Sequence, residues 1–312
     1  MKPKVYIDGK EGTTGLQIYD RLAARDDIEL LLINEEKRKD PQERKKLLNA
    51  ADLSFLCLPD AAAVEAVALI DNPDTKVIDA STAHRTTPGW TYGFPELSPA
   101  HREAVLQSKR VANPGCHATG FISVVYPLIA AGVLSKDAPL SCFSLTGYSG
   151  GGKKMIAQYE APGRDPLLSS PGVYGLTQAH KHLPEMRVVC GLDFPPVFSP
   201  IVDDYYKGMA TTVPLRMSQL RGVSTLREVR ELYASHYAKT PGVVSVSDGV
   251  PSLIYGAASA GTDTLSVIVA GNDEQLTVTA LFDNLGKGAS GAAVQNMNLM
   301  LGFPATAGLN LN

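Results

Sequence analysis

Apolar and polar stretches alternate along the first third of the chain. Short apolar runs occur at four places, namely 5–8, 28–33, 53–58 and 76–79. Between the first two runs, apolar residues recur at helical spacing, at Leu16, Tyr19, Leu22 and Ala23. Strands that alternate with amphipathic helices are typical of a parallel, doubly wound sheet. The pattern therefore predicts an α/β domain with a Rossmann-like parallel sheet.

The later part of the chain has a different pattern. Runs typical of strands dominate it, at 139–146, 186–190, 208–214, 242–247, 264–270 and 275–283. Residues 276–280 alternate apolar and polar side chains, as a half-exposed strand does. This indicates a mixed or antiparallel sheet with helices on one face, an α+β arrangement. A final amphipathic helix is expected to return to the first domain, which gives one domain of residues 1–114 with 290–312 and a second of residues 115–289.

A glycine turn follows the first predicted strand directly. Gly9, Gly12 and Gly15 stand between that strand and the first helical pattern. Strand, glycine turn and helix in this order are the context that a dinucleotide-binding fingerprint requires. Gly9 suits the tight turn, Gly12 the approach of the pyrophosphate, and Gly15 the packing of helix on strand. The spacing is GxxGxxG rather than the commoner GxGxxG, and a turn without a ligand is the alternative.

Ligands of doubly wound sheets lie beyond the carboxyl ends of the strands. The segments expected there are 9–14, 34–39, 58–60 and 80–85. They supply the candidate cofactor-binding residues Thr13, Thr14, Arg38, Pro59 and Ser81. An acidic side chain after the second strand binds the ribose of NAD, whereas basic side chains bind the 2′-phosphate of NADP. This chain has both at 35–39, and the three basic residues at 37–39 favour NADP over NAD. A solvated, charged loop is the alternative, and for any single one of these residues it is the expected one.

A second turn, Asn113-Pro114-Gly115-Cys116, lies between a short run predicted as a strand at 110–112 and an apolar helical pattern. Cys116 is therefore predicted at the N-terminus of a helix, where unpaired N–H groups and the helix dipole favour the thiolate. The same N–H groups suit an oxyanion formed when the thiolate attacks a carbonyl. The alternative is a small buried packing residue, as many cysteines are.

Two further stretches carry candidate chemistry. Residues 147–154 form a glycine-rich segment that ends in two lysines and suits an anion such as a phosphate, although a mobile surface loop is the alternative. His180 and His182 flank Lys181, and on an extended segment they would face the same way. Since no third and fourth ligand lie at a helpful spacing, we expect a proton carrier rather than a metal site.

Composition narrows the function classes. The 312 residues carry a net charge of −3, and 44% of them are hydrophobic. No basic run suggests nucleic acid, and no apolar run is long enough to span a membrane. Four cysteines without a CxxC pair do not form a disulfide framework. Together with the lack of an apolar leader, this predicts a cytoplasmic protein.

The chain resembles the short-chain (type 2) form of the N-acetyl-gamma-glutamyl-phosphate reductase family, within the wider aspartate-semialdehyde dehydrogenase group. The resemblance covers essentially the whole chain. It rests on the glycine turn at 9–15, the cysteine turn at 113–120, the histidine stretch at 180–185 and the long segment 283–296. One position departs from the pattern, because His117 stands where the family usually has Phe or Tyr.

The resemblance implies an oxidoreductase of arginine biosynthesis, with a glyceraldehyde-3-phosphate dehydrogenase-like second domain that also forms a homodimer or homotetramer. It implies that NADPH reduces the acyl phosphate to N-acetyl-glutamate 5-semialdehyde through a Cys116 thioester. His182 becomes the expected proton carrier, with His180 as runner-up and Glu185 as orienting partner. Asn284 is expected near the nicotinamide. The expected substrate residues are Arg85, Asn113, Gly150, Lys153 and Lys181.

Three alternatives remain open at this point. One is a sister dehydrogenase acting on an aspartate or aminoadipate semialdehyde, because the sequence does not size the pocket. Another is a cysteine hydrolase or acyltransferase whose nucleotide fold is empty, since it needs the same cysteine and histidines. The last is a nucleotide sensor without catalysis, which leaves Cys116 and the histidines unexplained.

Overall fold

A computed structural model describes residues 2–240 and 242–312 and divides the chain into two compact units. The first unit comprises the chain up to Phe94, then Glu103–Pro114 and Ala289–Leu309. The second comprises Pro95–Arg102, Gly115–Gly288 and Asn310–Asn312. The domain bounds expected from the sequence, and the roles expected of the two domains, stay predictions. No helix in the described part of the chain is both long and apolar enough to cross a membrane.

The helices run as follows: α1 Thr13–Ala23, α2 Pro41–Ala50, α3 Asp60–Ala68, α4 Pro99–Gln107, α5 Cys116–Ala130, α6 Gly152–Tyr159, α7 Leu183–Cys190, α8 Leu226–Ala238 and α9 Gly291–Leu301. The strands of the first unit are β1 Lys4–Asp8, β2 Glu29–Leu31, β3 Leu53–Leu56, β4 Lys76–Asp79, β5 Thr91–Tyr92 and β6 Arg110–Ala112. Those of the second unit are β7 Ser141–Gly147, β8 Gly172–Val173, β9 Val197–Asp203, β10 Met209–Arg216, β11 Val244–Val246, β12 Leu265–Gly271 and β13 Gln275–Phe282.

The first unit is built on a parallel sheet in the order β2-β1-β3-β4-β6-β5. Side chains along β1 alternate between its faces, so Val5 and Ile7 pack with α1 and α9 while Tyr6 packs with α2 and α3. The chain turns to one side of β1 for β2 and to the other side for β3. This reversal opens a crevice at the carboxyl end of β1, where the glycine turn lies. The predicted Rossmann-like sheet is confirmed.

The second unit is built on a mixed sheet in the order β11-β12-β13-β10-β7-β9-β8. Helix α5 packs on β10 and β13, and α8 packs on β11 and β12. Phe143 of β7 and Val197 of β9 remain 40% and 61% exposed. The predicted α+β arrangement is confirmed, with helices on the sheet.

One predicted strand is wrong, and three strands were not predicted. Residues 186–190 belong to helix α7 rather than to a strand. Leu183, Met186 and Cys190 are buried at helical spacing, whereas Val188 is 53% exposed. A short apolar run cannot distinguish a strand from a helix by itself, and here the buried side chains follow the helical period. The unpredicted strands are β5, β8 and β9.

Candidate active site

The glycine turn of the first unit has the geometry that its sequence predicts. Gly9 has φ +86°, and a Cβ there would collide with the carbonyl oxygen of Cys57. A Cβ at Gly15 would collide with the carbonyl oxygen of Gly9, so the helix approaches the turn closely. Gly12 is the N-cap of α1, and no side chain caps the helix there. The N–H groups of Thr13 and Thr14, in the first turn, thus lie at an anion-binding helix terminus.

A cavity of about 480 Å³ extends from this turn along the end of β2. Gly9, Arg38 and Arg44 are among the residues that line it. Arg44 forms an ion pair with the buried carboxylate of Asp8 at 2.8 Å. Arg38 forms an exposed ion pair with Glu35, also at 2.8 Å. The structure thus brings the glycine turn and two basic side chains to one cavity, as an anionic dinucleotide requires.

The other predicted cofactor residues of this unit also lie at carboxyl ends of strands. Pro59 is the N-cap of α3, directly after β3. Ser81 follows β4 and donates to Asp79 from its backbone N–H at 2.9 Å and from its hydroxyl at 2.7 Å. Asp79 Oδ2 also lies 2.6 Å from His84 Nδ1, and His84 stacks on Trp90. Sequence analysis did not identify this buried Asp79–His84 contact.

Arg85 and Asn113, two predicted substrate residues, are brought together within the first unit. Arg85 Nε donates to the backbone oxygen of Asn113 at 3.0 Å, and its Nη2 donates to the oxygen of Ala80 at 3.2 Å. The Asn113 side chain donates to the oxygen of Ala289 at 3.0 Å. The loop after β4 and the loop after β6 are therefore tied to each other.

Cys116 is the first residue of α5, so the predicted turn and helix are confirmed. Gly115, the N-cap, has extended backbone angles, and no side chain caps the helix. The thiol is half-buried, whereas Cys142 of β7 is fully buried. A Cβ at Gly120 would collide with Thr211, which shows how closely α5 packs against β10. Cys116 thus stands at an uncapped helix terminus on a rigid support.

Glu185 connects the cysteine turn to a histidine. Its Oε2 accepts the N–H of Gly115 at 3.1 Å, and its Oε1 lies 3.9 Å from His182 Nε2. Glu185 is 1% exposed and His182 is 4% exposed. A buried carboxylate that touches both the backbone before Cys116 and an imidazole can hold that imidazole in one orientation and stabilise its protonated form.

The histidine segment is not extended, in contrast to the prediction. His182 has helical backbone angles as the N-cap of α7, and its N–H donates to His180 Nδ1 at 3.2 Å. The two rings nevertheless lie side by side, with centroids 4.8 Å apart. Burial, followed by the charge of Lys181, lowers the pKa of His180. A turn, and not the alternation of an extended strand, thus brings the two imidazoles together.

The glycine-rich segment is helical over most of its length. It forms one helical turn, Tyr148–Gly151, that leads into α6. Asn284 holds this turn, because its Nδ2 donates to Ser149 Oγ at 3.0 Å while its Oδ1 accepts the N–H of Gly208 at 2.8 Å. Gly150 lies within the turn, and the Lys153 and Lys181 side chains of this unit are exposed.

A buried ion pair that sequence analysis missed holds the segment before α9. Lys287 Nζ lies 2.8 Å from Glu96 Oε2, and both side chains are 2% exposed. Lys287 belongs to the wide helical turn Gly286–Ser290. Within that turn, a Cβ at Gly288 would lie 3.1 Å from Cys116 Cβ. The pair therefore fixes backbone that contacts the cysteine.

His117, Ser144, Tyr174 and Thr211 form a further hydrogen-bonded group, in which all but the partly exposed Tyr174 are buried. In the sequence, His117 stands out only because the family usually has Phe or Tyr there. Tyr174 carried no signal at all, because a single tyrosine in a loop has no motif around it. These residues meet only through the fold of the second unit.

Comparison with known proteins places this geometry in a family. The semialdehyde dehydrogenase NAD binding domain matches residues 4–105, and the semialdehyde dehydrogenase dimerisation domain matches residues 116–284. N-acetyl-gamma-glutamyl-phosphate reductase 2 of Nostoc sp. is 46% identical, with 99% of each chain covered. N-acetyl-gamma-glutamyl-phosphate reductase of Mesorhizobium japonicum is 48% identical, covering 97% of this chain and all of that protein.

Solved structures agree with the fold. Aspartate semialdehyde dehydrogenase II of Vibrio cholerae superposes with a TM-score of 0.73 at 15% identity, covering 96% of this chain and 98% of that one. Aspartate semialdehyde dehydrogenase of Candida albicans gives 0.64 at 14% identity, covering 96% and 99%. The two family models and the near full-length relatives show that the chain belongs to the semialdehyde dehydrogenase family and, within it, to the N-acetyl-gamma-glutamyl-phosphate reductases.

Proposed function

We propose that the protein reduces N-acetyl-gamma-glutamyl phosphate to N-acetyl-glutamate 5-semialdehyde and phosphate, a reaction of arginine biosynthesis, with NADPH as reductant. The observation that carries the proposal is Cys116 at the uncapped start of α5, with Glu185 bonded to the preceding residue and facing His182. Relatives of that name at 46–48% identity over nearly the whole chain support the same substrate.

In the first half-reaction, the Cys116 thiolate attacks the carbonyl carbon of the acyl phosphate. The carbon–sulfur bond forms, the carbon–oxygen bond to phosphate breaks, and phosphate leaves. Backbone N–H groups in the first turn of α5 stabilise the tetrahedral oxyanion. Each such donor contributes roughly 10²- to 10³-fold in rate. The product of this step is a thioester on Cys116.

In the second half-reaction, the thioester carbon accepts a hydride and the resulting thiohemiacetal anion collapses. Collapse releases the aldehyde and returns the thiolate. In the first half-reaction, His182 takes the thiol proton and gives it to the departing phosphate oxygen, with Glu185 orienting the ring; after the collapse, a proton from solvent restores the thiol. His180 is the second candidate for this role. Its ring lies beside that of His182, so transfer of the proton-carrying role from one imidazole to the other needs little side-chain movement.

The first unit fits a dinucleotide. Gly9, Gly12 and Gly15 leave backbone exposed to a pyrophosphate, and Thr13 and Thr14 present N–H groups at the start of α1. NADP rather than NAD is supported by Arg38 and the neighbouring basic side chains of the cavity. Pro59 and Ser81 complete the proposed cofactor residues of this unit. When bound, NADPH supplies the hydride.

Asn284 is proposed as the residue next to the nicotinamide amide. Its side chain already spans Ser149 and Gly208, which leaves one amide hydrogen for that contact.

The substrate carries a carboxylate and a phosphate. In the first unit, Arg85 and Asn113 are proposed to contact it, and in the second unit Gly150, Lys153 and Lys181 are proposed to do so. Arginine suits a carboxylate because its planar group donates two parallel hydrogen bonds. Lysine suits a phosphate as a compact point charge.

A homodimer or homotetramer joined through the sheet of the second unit is proposed as the working form. The match to a dimerisation domain supports assembly, and the exposed Phe143 and Val197 give the sheet apolar area to bury. The cytoplasmic location stays a prediction.

The test is the phosphate-dependent oxidation of N-acetyl-glutamate semialdehyde, followed as NADPH formation. Cys116→Ser is expected to abolish it while calorimetry still detects NADPH binding. Cys142→Ala, at a buried cysteine whose thiol pKa is raised by burial, serves as the matched control and should keep activity. A fully active Cys116→Ser enzyme refutes the mechanism. Faster oxidation of aspartate semialdehyde than of the N-acetyl substrate would favour the sister dehydrogenase, and absence of NADPH binding would favour a hydrolase.

A further inference from the structure

A chain of hydrogen bonds, buried except at the partly exposed Tyr174, passes through His117, the residue after the proposed nucleophile. His117 Nδ1 lies 2.8 Å from Ser144 Oγ, and Nε2 lies 2.6 Å from the Tyr174 hydroxyl. Ser144 Oγ in turn lies 2.7 Å from Thr211 Oγ1. His117 is only 3% exposed. Both ring nitrogens are therefore engaged away from water, and the proposed reaction steps use neither of them.

The imidazole of His117 is neutral. Burial, together with the charges of His180 and Lys181, lowers its pKa to about 3. One ring nitrogen therefore donates and the other accepts. In one arrangement, Tyr174 donates to Nε2 and Nδ1–H donates to Ser144. In the other, Thr211 donates to Ser144, Ser144 donates to Nδ1, and Nε2–H donates to the Tyr174 oxygen.

The two arrangements differ in what Tyr174 presents toward Cys116. Burial, followed by the charge of Cys116, raises the pKa of Tyr174, and the Tyr174 hydroxyl is bonded to the ring that directly follows Cys116 in α5. In the first arrangement the phenolic hydrogen is used by His117, and the phenol offers only oxygen lone pairs to a nearby anion, which is repulsive. In the second, the phenolic hydrogen is available for an anion. A negative charge at Cys116 thus favours the second arrangement.

The backbone around this chain is fixed at both ends. The N–H of Tyr174 donates to the oxygen of Pro200 at 3.0 Å, which holds the loop after β8 against β9. At the other end, Thr211 is enclosed by the close approach of Gly120 on α5. These hydrogen-bonded side chains are therefore anchored firmly enough to hold the Tyr174 hydroxyl in one orientation.

We propose that His117 is a positioning residue, which as its Nε2–H tautomer holds Tyr174 so that the phenolic hydrogen points at the anions formed on and beside Cys116. The inference rests on the proposed function, since those anions are the thiolate and the tetrahedral oxyanions of the two half-reactions. This role involves no proton transfer. The hydrogen bond strengthens as charge develops on the oxyanion, so it stabilises the transition state more than the ground state.

A double-mutant cycle tests this coupling. Tyr174→Phe removes the hydroxyl, and kcat should fall about 10²-fold with KM little changed, the size expected for one oxyanion donor. His117→Phe keeps a ring but removes both nitrogens, and kcat should fall roughly 10-fold because the hydroxyl remains without its orientation. In the Tyr174→Phe background, His117→Phe should change kcat by less than about twofold. Additive losses in the cycle would overturn the proposal.

A conservative pair separates positioning from packing. The amide nitrogen of His117→Gln reaches the place of Nε2, whereas that of His117→Asn reaches only the place of Nδ1. Gln should recover most of the kcat lost in His117→Phe, and Asn should not. Equal kcat values for Gln and Asn would refute the tautomer assignment. This comparison does not depend on whether His117→Phe folds. Thermal midpoints of all variants show whether packing has changed.

Cys116→Ser is measured alongside. A fully active Cys116→Ser enzyme refutes the proposed function itself. An inactive Cys116→Ser enzyme combined with an additive cycle refutes only the role of His117. NADPH binding, followed by calorimetry, should be the same in His117→Phe and the wild type.

Discussion

Replacement of Glu185 by glutamine is expected to slow the reaction without unfolding the protein. The carboxylate performs two tasks at once, because Oε2 accepts the Gly115 N–H at 3.1 Å and Oε1 lies 3.9 Å from His182 Nε2. Glutamine keeps an oxygen for Gly115 and removes the negative charge that faces the imidazole. The backbone bond therefore survives, and the electrostatic support of a protonated His182 is lost.

The magnitude follows from the distance. Two unit charges 3.9 Å apart interact by about 4 kcal/mol at an effective dielectric constant of 20. Part of this is offset by the burial of both groups, since desolvation opposes the charged forms. We expect kcat to fall about 10²-fold, which corresponds to roughly 2.7 kcal/mol and lies within the range of general acid–base contributions.

Glu185→Ala is the informative contrast. It removes the charge and also leaves the Gly115 N–H without its acceptor, which costs about 1–3 kcal/mol of folding stability. The assay measures kcat by NADPH absorbance and the free energy of unfolding by urea titration. Glu231→Gln on α8, whose carboxylate is 66% exposed, is the control and should change neither. Full activity of Glu185→Gln, or equal destabilisation by Gln and Ala, would contradict the two-task account.

Three further predictions follow from the described contacts. Gly9→Ala should lower the free energy of unfolding by about 1–3 kcal/mol through the clash with Cys57, whereas Gly12→Ala, whose Cβ meets nothing closer than 3.4 Å, should fold normally and bind NADPH more weakly in a calorimetric titration. Lys287→Met should destabilise by about 3–5 kcal/mol in urea, since it leaves Glu96 buried without this cation, and the double replacement with Glu96→Leu should restore much of that loss. The pKa of His117 is lowered to about 3 from 6.5, so the unfolded chain binds more protons in that interval, and stability should fall by up to about 1.4 kcal/mol per pH unit as the pH drops from 6.5 toward 3. The free energy of unfolding of His117→Phe, measured by urea titration at pH 7 and pH 5, should depend less on pH than that of the wild type. An equal dependence on pH would contradict the assignment to this group.

Local signals in the sequence were enough for the parts of the site that a single turn creates. Gly9 and Gly115 stand where a strand must bend sharply into a helix, and apolar periodicity on both sides identifies that bend. The cofactor turn and the position of Cys116 at the start of α5 follow from this alone. The resemblance to a known family then supplied the chemistry.

Contacts between distant segments could not be predicted. Lys287 and Glu96 are 191 residues apart, and each alone resembles an ordinary surface charge. The same holds for Tyr174, which reaches His117 only because β8 and β9 pair. Strand β9 was missed because Pro200 interrupts its apolar run, and α7 was read as a strand because its apolar run is short. In each case the deciding term is packing against a partner that the local sequence does not contain.

The contribution of α9 to the first unit has a consequence for biosynthesis on the ribosome. Val294, Met297 and Met300 of this helix belong to the same apolar cluster as Val5 and Ile7 of the first strand. Translation delivers α9 after the other helices and strands, so one face of the amino-terminal sheet is covered only in part, by α1 and α4, while the intervening unit is being made. Vectorial folding therefore favours the middle of the chain before its beginning, and nascent chains released short of α9 expose an apolar face that chaperones or proteases can recognise.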